Sequence, residues 1–314
     1  MGRVFVTRRL PGDALKRLEA EHEVEVWPER LPPPPAELRA RAREAEGLLC
    51  MLTDPVDRAL LGAAPRLRAV ANLAVGTDNV DLEAATERGL PVGFTPDVLT
   101  ETTADLAVAL MLAAARRLPE AEAAVRAGDW LTWEPDRLLG RDLHGATVGI
   151  IGLGRIGCAV ARRLEGFGVE LLHTSREGGT ELEHLLARSH FVSLHCPLNP
   201  ETEGLIGAEA LRSMRADAIL VNTARGPLVD TAALAVALTS GEIAAAALDV
   251  TDPEPLPSDH PLLGAPNLVV VPHVGSATHA TRESMAGIAV ANLSAALRGE
   301  RMPHAANPEV YGLR

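Results

Sequence analysis

Thr147-Val148-Gly149-Ile150-Ile151-Gly152-Leu153-Gly154-Arg155-Ile156-Gly157, TVGIIGLGRIG, is the stretch from which the fold is read. Val148 to Ile151 is a short apolar run rich in β-branched residues and predicts a buried strand. Gly152, Gly154 and Gly157 fit the pattern G-x-G-x-x-G. From Arg155 to Phe167 the residues Ile156, Val160, Leu164 and Phe167 fall on one helical face. A strand, a glycine turn and a helix in that order predict a dinucleotide site. Gly152 permits the tight turn, Gly154 lets backbone approach a pyrophosphate, and Gly157 lets helix pack on strand. Arg155 and Ile156 open the helix, whose unpaired N–H groups and partial positive charge face the phosphates. A second strand at Val169 to His173 supports this over a glycine-rich turn with no ligand.

The rest of the chain has the same rhythm. Strands are expected at Arg3 to Thr7, Glu23 to Trp27, Gly47 to Cys50, Arg68 to Asn72 and Leu90 to Gly93, with helices between them. After the glycine turn, six strands are expected at 147–151, 169–173, 190–194, 218–222, 243–248 and 268–271. Alternation of this kind predicts parallel sheets with helices on both faces. Thr100 to Gly128 reads as one long Ala/Leu-rich helix, capped by Thr102 or Thr103 and stopped by Gly128. Its apolar character all round predicts burial, between elements or across a dimer interface. The loop GDWLTWEPDRLLG after it holds two tryptophans, either packed within the loop or reaching to a partner subunit. Thr278 to Arg298 is expected to cross back to the first unit. The fold expected is two doubly wound α/β units: a Rossmann coenzyme domain, residues 98–282, inserted in a flavodoxin-like substrate domain, residues 1–97 plus 283–314.

Composition narrows the function. A length of 314 residues fits about two domains. The net charge of -12 argues against nucleic acid or an anionic membrane as partner. No apolar run approaches the ~20 residues that span a bilayer. The apolar part of MGRVFVTRRL is too short for a signal peptide. Three cysteines without metal spacing fit a reducing cytoplasm. His195-Cys196 alone lacks the ligand count of a zinc site, so no metal is expected. Lys16 is the only lysine and glutamine is absent, a bias that heat adaptation or a GC-rich genome would each produce.

Ligands of open α/β sheets bind beyond the carboxyl ends of the strands. Three successive expected strands there carry Arg225, Glu254 and His273. Hydride transfer to a 2-oxo acid needs these residue types. An arginine holds the substrate carboxylate through its planar fork. A histidine beside a carboxylate protonates the carbonyl oxygen, since the carboxylate orients the imidazole and favours its protonated form. Arg225 is therefore expected to bind and polarise substrate, His273 to be the general acid/base, and Glu254 to orient it.

With these residues in view, the chain resembles the D-isomer-specific 2-hydroxyacid dehydrogenases over nearly its whole length. The motifs are GIIGLGRIG, HCPLNPET, VNTARGPLVD, LDVTDPEPLP and PHVGSAT. DVLTETTADLAVALML, GDWLTW and LRGERMP make it most similar to the glyoxylate/hydroxypyruvate reductase branch. The resemblance implies the three roles above, a small 2-oxo acid substrate, and a homodimer with its active site in a cleft. It implies that Val75 and Gly76 offer N–H groups to the substrate carboxylate and that Leu52 lines the pocket. It also implies that Thr103, Pro197, Thr223, Asp249 and Gly275 touch the cofactor.

One position departs from the NAD-using pattern. Where an acidic residue would bind the ribose hydroxyls, about 20 residues past the glycines, this chain has Ser175 and then Arg176. Ser175 can donate to a 2′-phosphate and Arg176 adds a cation, so NADPH is expected in preference to NADH, whose use stays open. The alternatives are D-3-phosphoglycerate dehydrogenase, set second because the chain ends at Arg314 without an added regulatory domain, and formate dehydrogenase, which is similar only in the cofactor half. A dinucleotide-sensing corepressor is the alternative of a different class; the acidic chain without extensions argues against it.

Overall fold

Twelve strands and eleven α-helices alternate along residues 1–312, which the computed structural model describes. The chain divides into two units, Met1–Leu99 with Ala277–Arg314, and Thr100–Ser276. The divisions lie at 99/100 and 276/277, beside the expected 97/98 and 282/283.

The first unit opens with β1 (Arg3–Val6), α1 (Ala14–Glu21), β2 (Glu23–Val26), α2 (Pro35–Glu44), β3 (Gly47–Met51), α3 (Arg58–Ala63), β4 (Ala69–Leu73), α4 (Leu82–Glu87) and β5 (Val92–Gly93). All five strands are parallel, in the order β2-β1-β3-β4-β5, which is the flavodoxin-like order. Successive side chains of a strand point to opposite faces. Val4, Val6, Leu49 and Ala71 accordingly enter one core with Leu18 of α1. Phe5, Leu48, Cys50 and Val70 enter the other, under α2, α3 and α4. Two aspartates start helices here by accepting backbone N–H groups: Asp57 from Leu60 (2.7 Å) and Asp81 from Ala84 (2.8 Å).

The second unit begins with α5 (Thr100–Ala115) and α6 (Leu118–Arg126). The single helix expected over Thr100 to Gly128 is thus broken. Arg117 takes a left-handed conformation (φ 51°), and Pro119, which cannot sit in a helix interior, occupies the first turn of α6. Thr102 and Thr103 are therefore not caps; they lie inside the first turn of α5. α5 is buried against α7 and the sheet, whereas α6 has no buried residue.

There follow β6 (Thr147–Ile151), α7 (Arg155–Leu164), β7 (Glu170–Ser175), β8 (Gly178–Gly179), α8 (Leu182–Arg188), β9 (Phe191–Leu194), α9 (Ala208–Ser213), β10 (Ile219–Asn222), α10 (Thr231–Ser240), β11 (Ala245–Leu248) and β12 (Leu268–Val270). The sheet order is β12-β11-β10-β9-β6-β7-β8. Counted from β6 the six expected strands run 2-1-3-4-5-6, a doubly wound order, and β8 adds a seventh strand at the edge beyond β7. That seventh strand departs from the six expected: β8 is a glycine pair that folds back antiparallel on β7. α7 also stops at Leu164, and Glu165–Phe167 tightens into a 3-10 turn.

The chain returns to the first unit through α11 (His279–Leu297). Thr278 caps it, its hydroxyl accepting the N–H of Thr281 (3.2 Å). Met285, Ala289 and Leu293 bury the helix in the core formed with β3, β4 and α1. Among the described residues no helix is long and apolar enough to cross a membrane.

Candidate active site

The turn after β6 has the geometry its glycines predict. Gly152 has φ 95°, and a Cβ there would lie 2.5 Å from the Cys196 nitrogen. A Cβ on Gly157 would overlap the carbonyl oxygen of Gly152, so α7 meets the turn backbone against backbone. Gly154 is exposed, with no atom within 4 Å of where its Cβ would be. The first bond of α7 runs from Cys158 N–H to Gly154 O (2.9 Å), which leaves the N–H groups of Arg155, Ile156 and Gly157 ahead of it. At the end of β10, the Thr223 hydroxyl is buried without a hydrogen-bond partner among the described residues. An open glycine cradle, a helix N-terminus and an unsatisfied buried hydroxyl on one sheet edge fit a dinucleotide.

Ser175 is the last residue of β7 and pairs with Gly178. Its hydroxyl donates to Gly178 O (3.1 Å). Arg176 and Glu177 form the exposed tip of the hairpin. Arg176 Nη2 lies 3.9 Å from Glu201 Oε2, and both side chains are about four-fifths exposed.

β10, β11 and β12 are neighbours in the sheet, so Arg225, Glu254 and His273 follow adjacent strand ends. Asn222, the last residue of β10, fixes the first loop: its amide donates to Arg225 O (2.8 Å) and accepts from Ala224 N–H (3.0 Å). Arg225 Nη1 donates to Ala224 O (2.8 Å). The loop of Glu254 is held by two threonines. Thr251 donates to Pro253 O (2.9 Å) and Thr231 to Asp252 O (2.8 Å). Glu254 Oε1 then lies 2.6 Å from His273 Nδ1. This contact places the Nδ1 proton between ring and carboxylate and leaves Nε2 as the nitrogen that can exchange a proton with a ligand.

His273 adopts φ 53°, uncommon for a residue with a side chain. Its turn is held by Asp249, whose two carboxylate oxygens accept the N–H groups of Val274 (2.6 Å) and Gly275 (2.8 Å). Burial raises the Asp249 carboxyl above the usual carboxylate range, against the opposing pull of those N–H groups and of the His273 charge. Thr103, from α5, donates to Gly275 O (3.3 Å). His195 is a neutral side chain: burial pushes it down to about 4, and its Nε2 shares a hydrogen bond with Ser193 Oγ (2.8 Å). Pro197 is exposed in the next loop, where its carbonyl accepts from Thr202 (2.7 Å).

Residues 108–275 match the family model described as D-isomer specific 2-hydroxyacid dehydrogenase, NAD binding domain. The glyoxylate reductase of Korarchaeum cryptofilum is 49% identical, with 99% of this chain and 98% of that one covered. The chain belongs to the D-isomer-specific 2-hydroxyacid dehydrogenase family. The crystal structure of the TT0316 protein from Thermus thermophilus superposes with a TM-score of 0.92 at 50% identity, covering 97% of this chain and 99% of that one. A second, an NADPH-dependent glyoxylate/hydroxypyruvate reductase from Sinorhizobium meliloti in complex with NADP and malonate, gives 0.86 at 36% identity, covering 98% and 97%.

This 2-hydroxyacid dehydrogenase is thus an NAD(P)-dependent oxidoreductase, and a nicotinamide dinucleotide is its cofactor. In the first unit, Leu52 is half-buried in the turn after β3, and Val75 and Gly76 follow β4. The N–H groups of Val75 and Gly76 donate to no partner among the described residues. Sequence reasoning missed Asn222, Thr231 and Thr251, which hold the loops of Arg225 and Glu254. The available signal was no more than a polar amide, Asn222, at the end of an apolar run, with no mark of its partner.

Proposed function

We propose that this enzyme reduces glyoxylate and hydroxypyruvate to glycolate and D-glycerate, with NADPH as the preferred reductant. The observation that carries the reading is the 2.6 Å contact between His273 Nδ1 and Glu254 Oε1, one strand away from the Arg225 loop. The Korarchaeum relative named glyoxylate reductase and the Sinorhizobium reductase support the substrate class.

Arg225 holds the substrate carboxylate and polarises the adjacent carbonyl. In the first unit, the N–H groups of Val75 and Gly76 are donors for a substrate carboxylate, and Leu52 is the apolar lining residue. The reduced nicotinamide supplies the hydride that adds to the carbonyl carbon. His273 gives the Nε2 proton to the carbonyl oxygen, completing the hydroxyl, and Glu254 stabilises the imidazolium before transfer and orients the ring. On the cofactor side, Gly152, Gly154, Arg155, Ile156 and Gly157 would hold the pyrophosphate, and Thr103, Pro197, Thr223, Asp249 and Gly275 would touch the dinucleotide. Arg176 reads the 2′-phosphate; Ser175 contributes by lacking the negative charge that would repel it.

The loop after α6 exposes Trp130 (70%), Leu131 (85%) and Trp133 (80%), and α6 itself exposes Leu118 and Val125. Loop packing does not account for indoles this exposed, and large apolar side chains left bare along one segment mark an interaction surface. This surface seats a second copy of the chain, making the enzyme a homodimer.

Steady-state rates on a panel of 2-oxo acids with each cofactor test the reading directly. His273→Ala should lower kcat for glyoxylate by ~100- to 10,000-fold while the dissociation constant for NADPH is kept; a kcat within about threefold of the parent overturns the assignment. Arg225→Lys should raise KM for glyoxylate and lower kcat, because lysine keeps the charge and loses the fork. NADPH should exceed NADH by about 10- to 100-fold in kcat/KM, the value of one charged hydrogen bond, and Arg176→Ala should abolish that ratio. Light scattering at micromolar concentration should give a dimer, and Trp130→Ser with Trp133→Ser should shift it towards monomer.

A further inference from the structure

The proposed mechanism leaves unexplained a buried polar cluster at the carboxyl ends of β1, β3 and β4, three neighbouring strands of the first unit. Thr7, Asp54 and Asn72 are fully buried there, and Asn79 is half-buried. Buried polar groups are costly unless bonded, and most of these are bonded to one another or to the loops. Asp54 Oδ2 accepts from the Thr7 hydroxyl and from Met51 N–H (2.8 Å), and Asp54 Oδ1 lies 3.7 Å from Arg8 Nη1. Asn79 Nδ2 donates to the carbonyls of Met51 and Asp54 (3.0 Å each). Asn72 Nδ2 donates to Asn79 Oδ1 (2.9 Å) and to Gly76 O (3.1 Å).

The last of these bonds matters most. A trans peptide is planar, so fixing its carbonyl fixes the N–H on its other side. Ala74 O accepts Thr95 N–H (2.8 Å), which sets the 74–75 peptide and with it the Val75 N–H. Asn72 sets the 76–77 peptide through Gly76 O. The peptide carrying the Gly76 N–H is bracketed by these two anchors. Glycine is the residue least able to hold such a geometry alone. Asn79 and Asp54 in turn tie the same asparagine to the turn containing Leu52.

We propose that Asn72, backed by Asn79 and Asp54, is a positioning residue that, opposite the Thr95 bond to Ala74 O, presets the Gly76 N–H beside that of Val75 to receive the substrate carboxylate. This rests on the role given to Val75 and Gly76 in the proposed function. The side chain of Asn72 acts only through that loop, so it serves ground state and transition state alike. Losing it should raise KM and spare kcat.

The test uses two variants of the full chain, Asn72→Ala and the equal-sized Asn72→Asp. Asn72→Asp keeps an acceptor towards Cys50 Sγ (3.6 Å) and removes the donor to Gly76 O. The expected result is a KM for glyoxylate raised about tenfold, kcat within about threefold and KM for NADPH within about twofold of the parent. NMR order parameters of the Val75, Gly76 and Thr77 amides should fall from the rigid range of about 0.85 towards about 0.6, with residues 147–157 unchanged. An unchanged KM for glyoxylate in both variants, even with a lowered Tm, overturns the proposal and reduces the cluster to a structural role. If the parent turns over no 2-oxo acid, the proposed function fails instead; the order parameters then decide whether Asn72 holds the loop, and unlowered values overturn that too.

Discussion

The carboxylate of Asp249 is buried to 2% exposure at the end of β11, with both oxygens turned onto the N–H groups of Val274 and Gly275. The placement of His273 follows from it. A left-handed turn at a residue with a side chain costs of order 1–3 kcal/mol and persists only where its surroundings over-determine it. Two charge-assisted hydrogen bonds, together with His273 N–H donating to Asp249 O (2.8 Å), supply that determination. The turn aims the imidazole at Glu254, and the contact with Glu254 sets which nitrogen faces outward. The chemistry of one ring nitrogen is thus fixed by a carboxylate that need not touch a reacting atom.

Much of this was legible in the sequence because it is local or periodic. Short apolar runs alternating with helical spacing imply parallel sheets, and parallel strands bring their following loops to one edge. That rule alone placed Arg225, Glu254 and His273 on neighbouring strand ends. What was not legible depends on bonds between residues far apart in sequence. Nothing around Asn222 announces that its amide will bracket Arg225, and Thr231 reaches Asp252 across a helix and a strand. The break at Arg117 could have been read from Pro119, but the continuous Ala/Leu composition masked it. The β7–β8 hairpin was missed because Gly178-Gly179 reads as a turn, and only pairing with Thr174 and Ser175 makes it a strand.

The two units treat the same sheet edge in different ways. In the first, Thr7, Asp54 and Asn72 are sealed from water and spend their bonding capacity on each other and on the loops. In the second, Glu254 and His273 keep a quarter to a third of their side-chain surface open. A buried, mutually bonded network is rigid because any member that leaves strands a partner in low dielectric. A half-open pair can still exchange a proton.

Charge makes the same point. The chain carries -12 and takes an anionic cofactor, so its overall field works against binding. At physiological salt that field is screened beyond about 8 Å. Within that distance the groups that count are few: the first turn of α7, the Arg225 fork, and Arg176 at an exposed hairpin tip with Glu201 3.9 Å away. The α7 and Arg225 donors are set by backbone packing or by buried amides, so their geometry is largely independent of the surface. Arg176 is not so set. Its hairpin rests on a two-residue strand and one hydroxyl bond from Ser175, so its geometry depends on the surface around it.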